Sequence, residues 1–310
     1  MGDGDGSAAG RPTRSGGPDG GPDRAVDGER TPSGRRAIEA RLDALVRENR
    51  FTIAVVFPAV GAVLLVASAE GLLPAPLAFN PYLVLLGVLV MRLPLIAGAA
   101  PLVDRRAAAA LLALTAYAYG IEYAGVRTGL PYGEFEYVVD LGPMLAGAVP
   151  IALPVFFFPL VLNSYLLCLL VLGERSASPL VRLPAVVGSV LAMDLVLDPG
   201  AVALTFWAYD GGGAYYGVPL SNYLGWVLSA TVAAVAFDRG FDRAGLRRRL
   251  RDCEFMLDDL VSFVVLWGAV NAYFGNVLPT VIAGAFGAGL LYADRFDFAV
   301  RPTVPLVDRR

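Results

Sequence analysis

Charge is segregated along this chain. It gathers at the two ends and in a few loops, leaving about eight long apolar stretches almost free of it, at roughly 51–69, 78–100, 107–126, 141–170, 181–200, 215–237, 257–274 and 277–293. A helix needs about 20 residues to cross the hydrocarbon of a bilayer, and most of these stretches reach that length. Only 17% of the 310 residues are charged, against roughly a quarter in a soluble domain. The mean hydropathy of +0.59 points the same way. The expected fold is therefore all-α: a polytopic transmembrane bundle of about eight spans.

Arginine sets the expected orientation. All 25 basic residues are Arg, with no Lys and no His. They concentrate in the N-terminal tail, in Arg105-Arg106, from Glu174 to Arg182, from Asp238 to Asp252 and in the C-terminal tail, which are alternate connections of the bundle. The opposite connections hold Arg127 and the acids Glu70, Glu134, Glu136, Asp140 and Asp210. By the positive-inside rule both termini are expected in the cytoplasm, which requires an even number of spans. Arg92, inside the second span, is expected to reach the inner interface with its long side chain. The absence of His excludes His-ligated haem or zinc and a Ser-His-Asp triad. Cys168 and Cys253 fall in a span and a polar loop, so no disulfide is expected. The net charge of −3 says little about partners, and an acidic, Lys-free composition suits a high-salt cytoplasm.

The expected organisation is a disordered cytoplasmic tail over 1–36, an amphipathic lead-in over 37–50, a membrane domain over 51–295 and a cytoplasmic tail over 296–310. Residues 1–36 are Gly, Asp, Arg, Pro and Ser, with nothing to bury. The fourth stretch is overlong and carries Pro143, Pro150, Pro154 and Pro159, so it reads as a kinked or broken helix. Gly275-Asn276 reads as a tight turn between the last two.

The unusual polar residues converge on the outer side. Glu122 lies in the third span, just before Gly125, Gly129, Pro131 and Gly133 end that helix. Asp194 and Asp198 are four apart, hence on one face of the fifth span, followed by Pro199 as a helix terminator. Asn222 and Trp226, also four apart, open the sixth span, and Asn271 lies in the seventh. Ionisable groups in a span are costly and mark function by default. Plainer readings stand beside this one. Glu122 can pair with Arg127, an Asp can cap a broken helix, and Trp207, Tyr209, Tyr215, Tyr216, Tyr223 and Trp226 can form an interfacial aromatic belt, the sharper reading being that a few of them line a pocket and stabilise a carbocation through their ring faces. A metal-diphosphate site is disfavoured, since Asp-x-x-x-Asp occurs once and nearly all the Arg lie on the other side. Gly211-Gly-Gly213 follows no strand of a nucleotide-binding unit, and the run Arg243–Arg251 reads as an anchor against anionic headgroups.

Two blocks carry a resemblance. Glu122-Tyr-Ala-Gly125-Val-Arg-Thr-Gly129-Leu-Pro131-Tyr-Gly133-Glu-Phe-Glu-Tyr137, with Leu141-Gly-Pro143 and Val149-Pro150, is the first. Asp194, Leu197-Asp198-Pro199 and Trp207, with Tyr216-Gly-Val-Pro219-Leu-Ser-Asn222-Tyr-Leu-Gly225-Trp226, is the second. Together they resemble the membrane carotenoid biosynthesis proteins that hydrate carotenoid ends, over roughly residues 50–295. Where that family often has a Trp-rich stretch, this chain reads Ala152-Leu-Pro-Val-Phe-Phe-Phe158.

The resemblance implies addition of water to a terminal trisubstituted double bond of an acyclic C50 carotenoid dissolved in the membrane. Neither metal nor cofactor nor nucleic acid is implied; other carotenoid enzymes that add prenyl groups or desaturate are possible partners. Such a hydration needs an acid to protonate the alkene, a setting that tolerates a tertiary cation, and a placed water; a protonated carboxylic acid in an apolar site is a suitable donor. The expected acids are Glu122, Asp194 and Asp198, with Tyr132, Tyr137, Asn222, Tyr223 and Trp226 around the substrate or cation. Rival readings are a proton-coupled transporter or lipid flippase with an acidic outer-leaflet site, and a non-catalytic assembly factor.

Overall fold

The computed structural model describes Met1 and residues 34–296. The tails expected over 1–36 and 296–310 fall almost wholly outside these residues. Ten α-helices are described: α1 Gly34–Glu48, α2 Phe57–Ala69, α3 Pro81–Ala99, α4 Arg105–Thr128, α5 Leu153–Leu172, α6 Pro179–Ala203, α7 Leu220–Gly240, α8 Arg243–Asp252, α9 Asp258–Tyr273 and α10 Val277–Tyr292. A π-helical turn, Thr52–Val56, runs into α2 at Pro58, whose ring cannot donate. Each of the eight apolar stretches carries one helix. Six are long and apolar enough to cross a membrane, namely Thr52–Ala69, Pro81–Leu102, Arg105–Thr128, Leu153–Ala177, Pro179–Ala203 and Leu220–Gly240. α9 and α10 have 16 residues each.

Local chemistry sets the helix ends. Asn80 caps α3 by accepting from the backbone N–H groups of Tyr82 and Leu83, ahead of Pro81 in the first turn. Asp104 caps α4, and Gly129 ends it in the left-handed conformation at φ 72°. Asp242 caps α8. α5 and α9 are the enclosed helices; α9 packs against α2, α3, α6 and α10.

Several expectations are corrected. The fourth stretch is not one helix. Met144–Leu145 (β2) pairs with Val149–Pro150 (β3) in an antiparallel hairpin, and α5 begins only at Leu153. Pro143 and Pro150 therefore serve the hairpin, Pro154 the first helical turn, and Pro159 alone lies within the helix. Pro199 does not end α6, which continues to Ala203. A proline leaves the carbonyl four residues earlier without its donor. Here the Tyr215 hydroxyl donates to that carbonyl, Leu195 O, at 3.2 Å, and Asn271 Nδ2 donates to Val196 O at 2.8 Å. Arg92 does not reach for the interface. Its guanidinium pairs with buried Asp259, which also accepts from Asn163, and its Nε donates to Val155 O, the carbonyl freed by Pro159. The 207–226 segment is not all loop: Trp207–Tyr209 (β4) pairs antiparallel with Phe135–Tyr137 (β1), Tyr137 opposite Trp207 and Phe135 opposite Tyr209. Both cysteines are buried and unpaired.

The two ends of the bundle differ. One is arginine-rich, where Arg249 of α8 donates to Gly98 O and Asp43, and Arg182 of α6 pairs with Asp238 of α7, which also accepts from Tyr165. The other is covered by the two small sheets and their loops.

Candidate functional site

Beneath that cover lies a cavity of about 160 Å³. Helix periodicity builds its walls. Ala118, Ile121 and Glu122 share one face of α4, Leu197 and Asp198 come from α6, Asn222 and Trp226 share a face of α7, and Leu153, Phe156, Phe157 and Leu160 share a face of α5. The β1–β4 ribbon adds Phe135, Tyr137, Trp207 and Tyr209 from above.

The ribbon fixes the acids. Tyr137 donates its hydroxyl to Glu122 Oε1, and Tyr209 donates to Asp198 Oδ2 at 3.1 Å. Asn222 Nδ2 donates to the same Asp198 oxygen at 2.5 Å and to Asp194 Oδ2 at 2.9 Å, so one amide joins the two aspartates. Asp198 Oδ2 is thus an acceptor twice over, while among the described residues no hydrogen bond is made to Asp198 Oδ1 or to Glu122 Oε2. Burial, followed by the charge of the carboxylates each faces, pushes the Tyr137 and Tyr209 phenols above their ordinary range. Both remain O–H donors at any physiological pH.

Aromatic faces complete the pocket. The Trp226 indole stacks on Phe157 with ring centres 5.8 Å apart and lies 6.1 Å from Tyr132. Tyr132 is buried against Gly225, its hydroxyl bonded to Ser229 at 2.6 Å. Trp207 lines the cavity with a buried indole N–H that has no acceptor among the described residues.

Of the residues singled out from sequence, Glu122, Asp198, Tyr132, Tyr137, Asn222 and Trp226 line this one cavity. Asp194 stands behind it, reached through Asn222, with its Oδ1 buried and without a partner among the described residues. Tyr223 lies outside the lining, edge-on to Tyr215 at 5.9 Å. Arg127 does not pair with Glu122; its guanidinium covers the Tyr123 ring at 5.3 Å. Asn271 serves the backbone of α6 and the turn at Asn276. Tyr209, Trp207 and Phe157 were not singled out as site residues. The first two belonged to the aromatic group read mainly as an interfacial belt, a few of whose members were expected to line a pocket, and the ribbon sets these two over the acids.

A profile of the family described as carotenoid biosynthesis protein matches residues 79–290. The chain belongs to this family. It is also 64% identical, over 283 residues, to a protein of Haloarcula japonica named bisanhydrobacterioruberin hydratase, a match covering 91% of this chain and 96% of that one. No solved structure matches the chain. The family match begins at Phe79, which itself lines the cavity, and runs to Leu290 near the end of α10, so it takes in every wall described above.

Proposed function

We propose that the protein is a carotenoid hydratase that adds water across terminal C=C bonds of an acyclic C50 carotenoid, converting bisanhydrobacterioruberin to bacterioruberin. One observation carries the mechanism: of the three carboxyl groups that line the apolar cavity, Glu122 and Asp198 come from different helices and each has one oxygen held by a tyrosine, while Asp140 is exposed in a loop and accepts from Gly142 N–H. The name of the Haloarcula japonica relative supports the substrate.

In this reading one acid transfers its proton to the less substituted alkene carbon, leaving a tertiary cation. The faces of Trp226, Phe157 and Tyr132 stabilise that cation. The second carboxylate orients a water whose oxygen bonds to the cationic carbon, and it takes the proton released. H and OH have then been added, and proton return between the two acids restores the site. Asp198 is the better placed donor, because buried Asp194 stands one helical turn behind it on the same face, and two neighbouring carboxyl groups away from water do not both ionise readily. Glu122 then serves as base, and the free Trp207 N–H is available to the water or the new hydroxyl. The acidic site lies away from the arginine-rich end, which by the positive-inside rule supports a reaction in the outer leaflet with the termini in the cytoplasm.

The test is pigment mass spectrometry on cells that accumulate bisanhydrobacterioruberin and express this protein. Products heavier by one or two waters are expected. Unchanged pigment in the presence of folded protein would overturn the reading.

A further inference from the structure

The cavity has two kinds of wall. Toward α6, α7 and the ribbon it presents Asp198, Asn222 and Tyr209; toward α3 and α5 it is apolar. α3 contributes Pro81, Val84 and Leu85, whose spacing puts them on one face. α3 and α4 are joined at the arginine-rich end through residues 100–104, and both touch α5. Beyond that they part. α3 packs on α1, α2 and α9, and α4 on α7. At the site end the two helices therefore flank a cleft with the enclosed helix α5 behind it, so the cleft faces away from the middle of the bundle.

Its flanks agree with a lipid-facing position. Leu83 and Leu86 beside the α3 face, and Tyr123 beside Glu122, are exposed apolar side chains. The water side is covered instead. The segment ahead of α5 crosses from α3, where Gly142 comes against Pro81, to α4, where Tyr119 donates to Ile151 O at 2.6 Å.

Volume adds a second, independent constraint. Pockets that enclose a drug-sized molecule hold roughly 300–1,000 Å³. A cavity of about 160 Å³ takes the end of a long chain and no more. The remainder has to leave the cavity, and of its two apolar walls α5 is enclosed, so the α3 side is the one that opens toward lipid.

We propose that the cleft between the outer halves of α3 and α4 is a lateral portal for a linear polyene. The end group sits between Glu122 and Asp198, and the chain passes Ile121, Leu85 and Val84 into the bilayer. The identity of the occupant rests on the hydratase reading; the portal itself does not require that water be added.

A photoactivatable diazirine side chain placed at position 85 or 121, with positions 112 and 224 as controls, tests this directly. Leu112 and Leu224 are exposed elsewhere on α4 and α7. Membranes containing bisanhydrobacterioruberin should give at least fivefold more pigment adduct at 85 and 121 than at 112 and 224. Leu85→Trp should lower hydration at least tenfold with an unchanged melting temperature, while Leu224→Trp leaves it intact. Adducts at 85 and 121 without hydration would keep the portal and sink the hydratase. Hydration with equal labelling at all four positions would sink the portal, whatever the folding of Leu85→Trp.

Discussion

Asn222 is the residue on which the acids depend, since its single amide reaches both Asp194 and Asp198. General acid–base groups typically contribute 10²- to 10⁴-fold. Asp198→Asn and Glu122→Gln should each lower the yield of hydrated carotenoid by about that range. Asp194→Asn, one bond removed from the cavity, should cost only about tenfold, at the low end of such effects. Pigment mass spectrometry at matched expression reads all three, and an Asp194 variant as dead as the Asp198 variant would reverse their roles. Much of this site was legible beforehand, because carboxylates four apart in a span and a carboxylate before a Gly/Pro break are rare and costly. Tyr209 was not. It reaches Asp198 only through a ribbon of two three-residue strands some 70 residues apart, too short for periodicity to reveal.

Elements meet at glycine and proline. A Cβ at Gly225 would lie 2.4 Å from Tyr132 Cδ1, so Gly225→Ala must push that ring out of the pocket wall. Gly225→Ala should lower both hydration and the melting temperature, whereas Ala236→Gly, on the same helix, should affect stability alone. Pro199 gives the complementary case. Tyr215→Phe removes the donor to the part-buried Leu195 carbonyl and should cost about 1 kcal/mol, read as a lower melting temperature. The eight apolar helices were legible because hydropathy alone writes them. That α6 survives Pro199 was not, since the replacing donors come from elsewhere in the chain. α1 offers a pH test. Burial pushes the Asp43 carboxyl up, but hydrogen bonds from Arg249 and Arg47 outweigh it and hold the group below its ordinary 3.8. A depressed carboxylate stabilises above its unfolded pKa and loses that contribution as pH falls through the folded one. Hydrogen exchange in α1 should thus be flat above pH 4 and show added opening only below it, an effect absent in Asp43→Asn.

At the scale of the molecule, the number of crossings turns on α9 and α10. Sixteen residues rise only about 24 Å, short of a hydrocarbon core of about 30 Å. Their ends argue for a crossing. The start of α9 carries Asp258 and Asp259, held by Arg50 and Arg92, and Arg295 beyond α10 donates to Leu250 O at the arginine-rich end. The turn between them reaches the opposite end, where Leu278 N–H donates to Tyr216 and Asn276 to Pro199 O. α9 is buried among its neighbours, so its length need not match the lipid. A single cysteine at position 273 or 214, both exposed, in a background with Cys168 and Cys253 replaced by Ala, should therefore react with a membrane-impermeant maleimide in intact cells. One at position 248, exposed on α8, should react only after lysis. That pattern gives eight crossings with the acids facing outward. Protection of 273 alone would make α9–α10 a re-entrant hairpin and leave six. Protection of both 273 and 214 with labelling at 248 would invert the protein, and with it the leaflet in which the polyene end is hydrated.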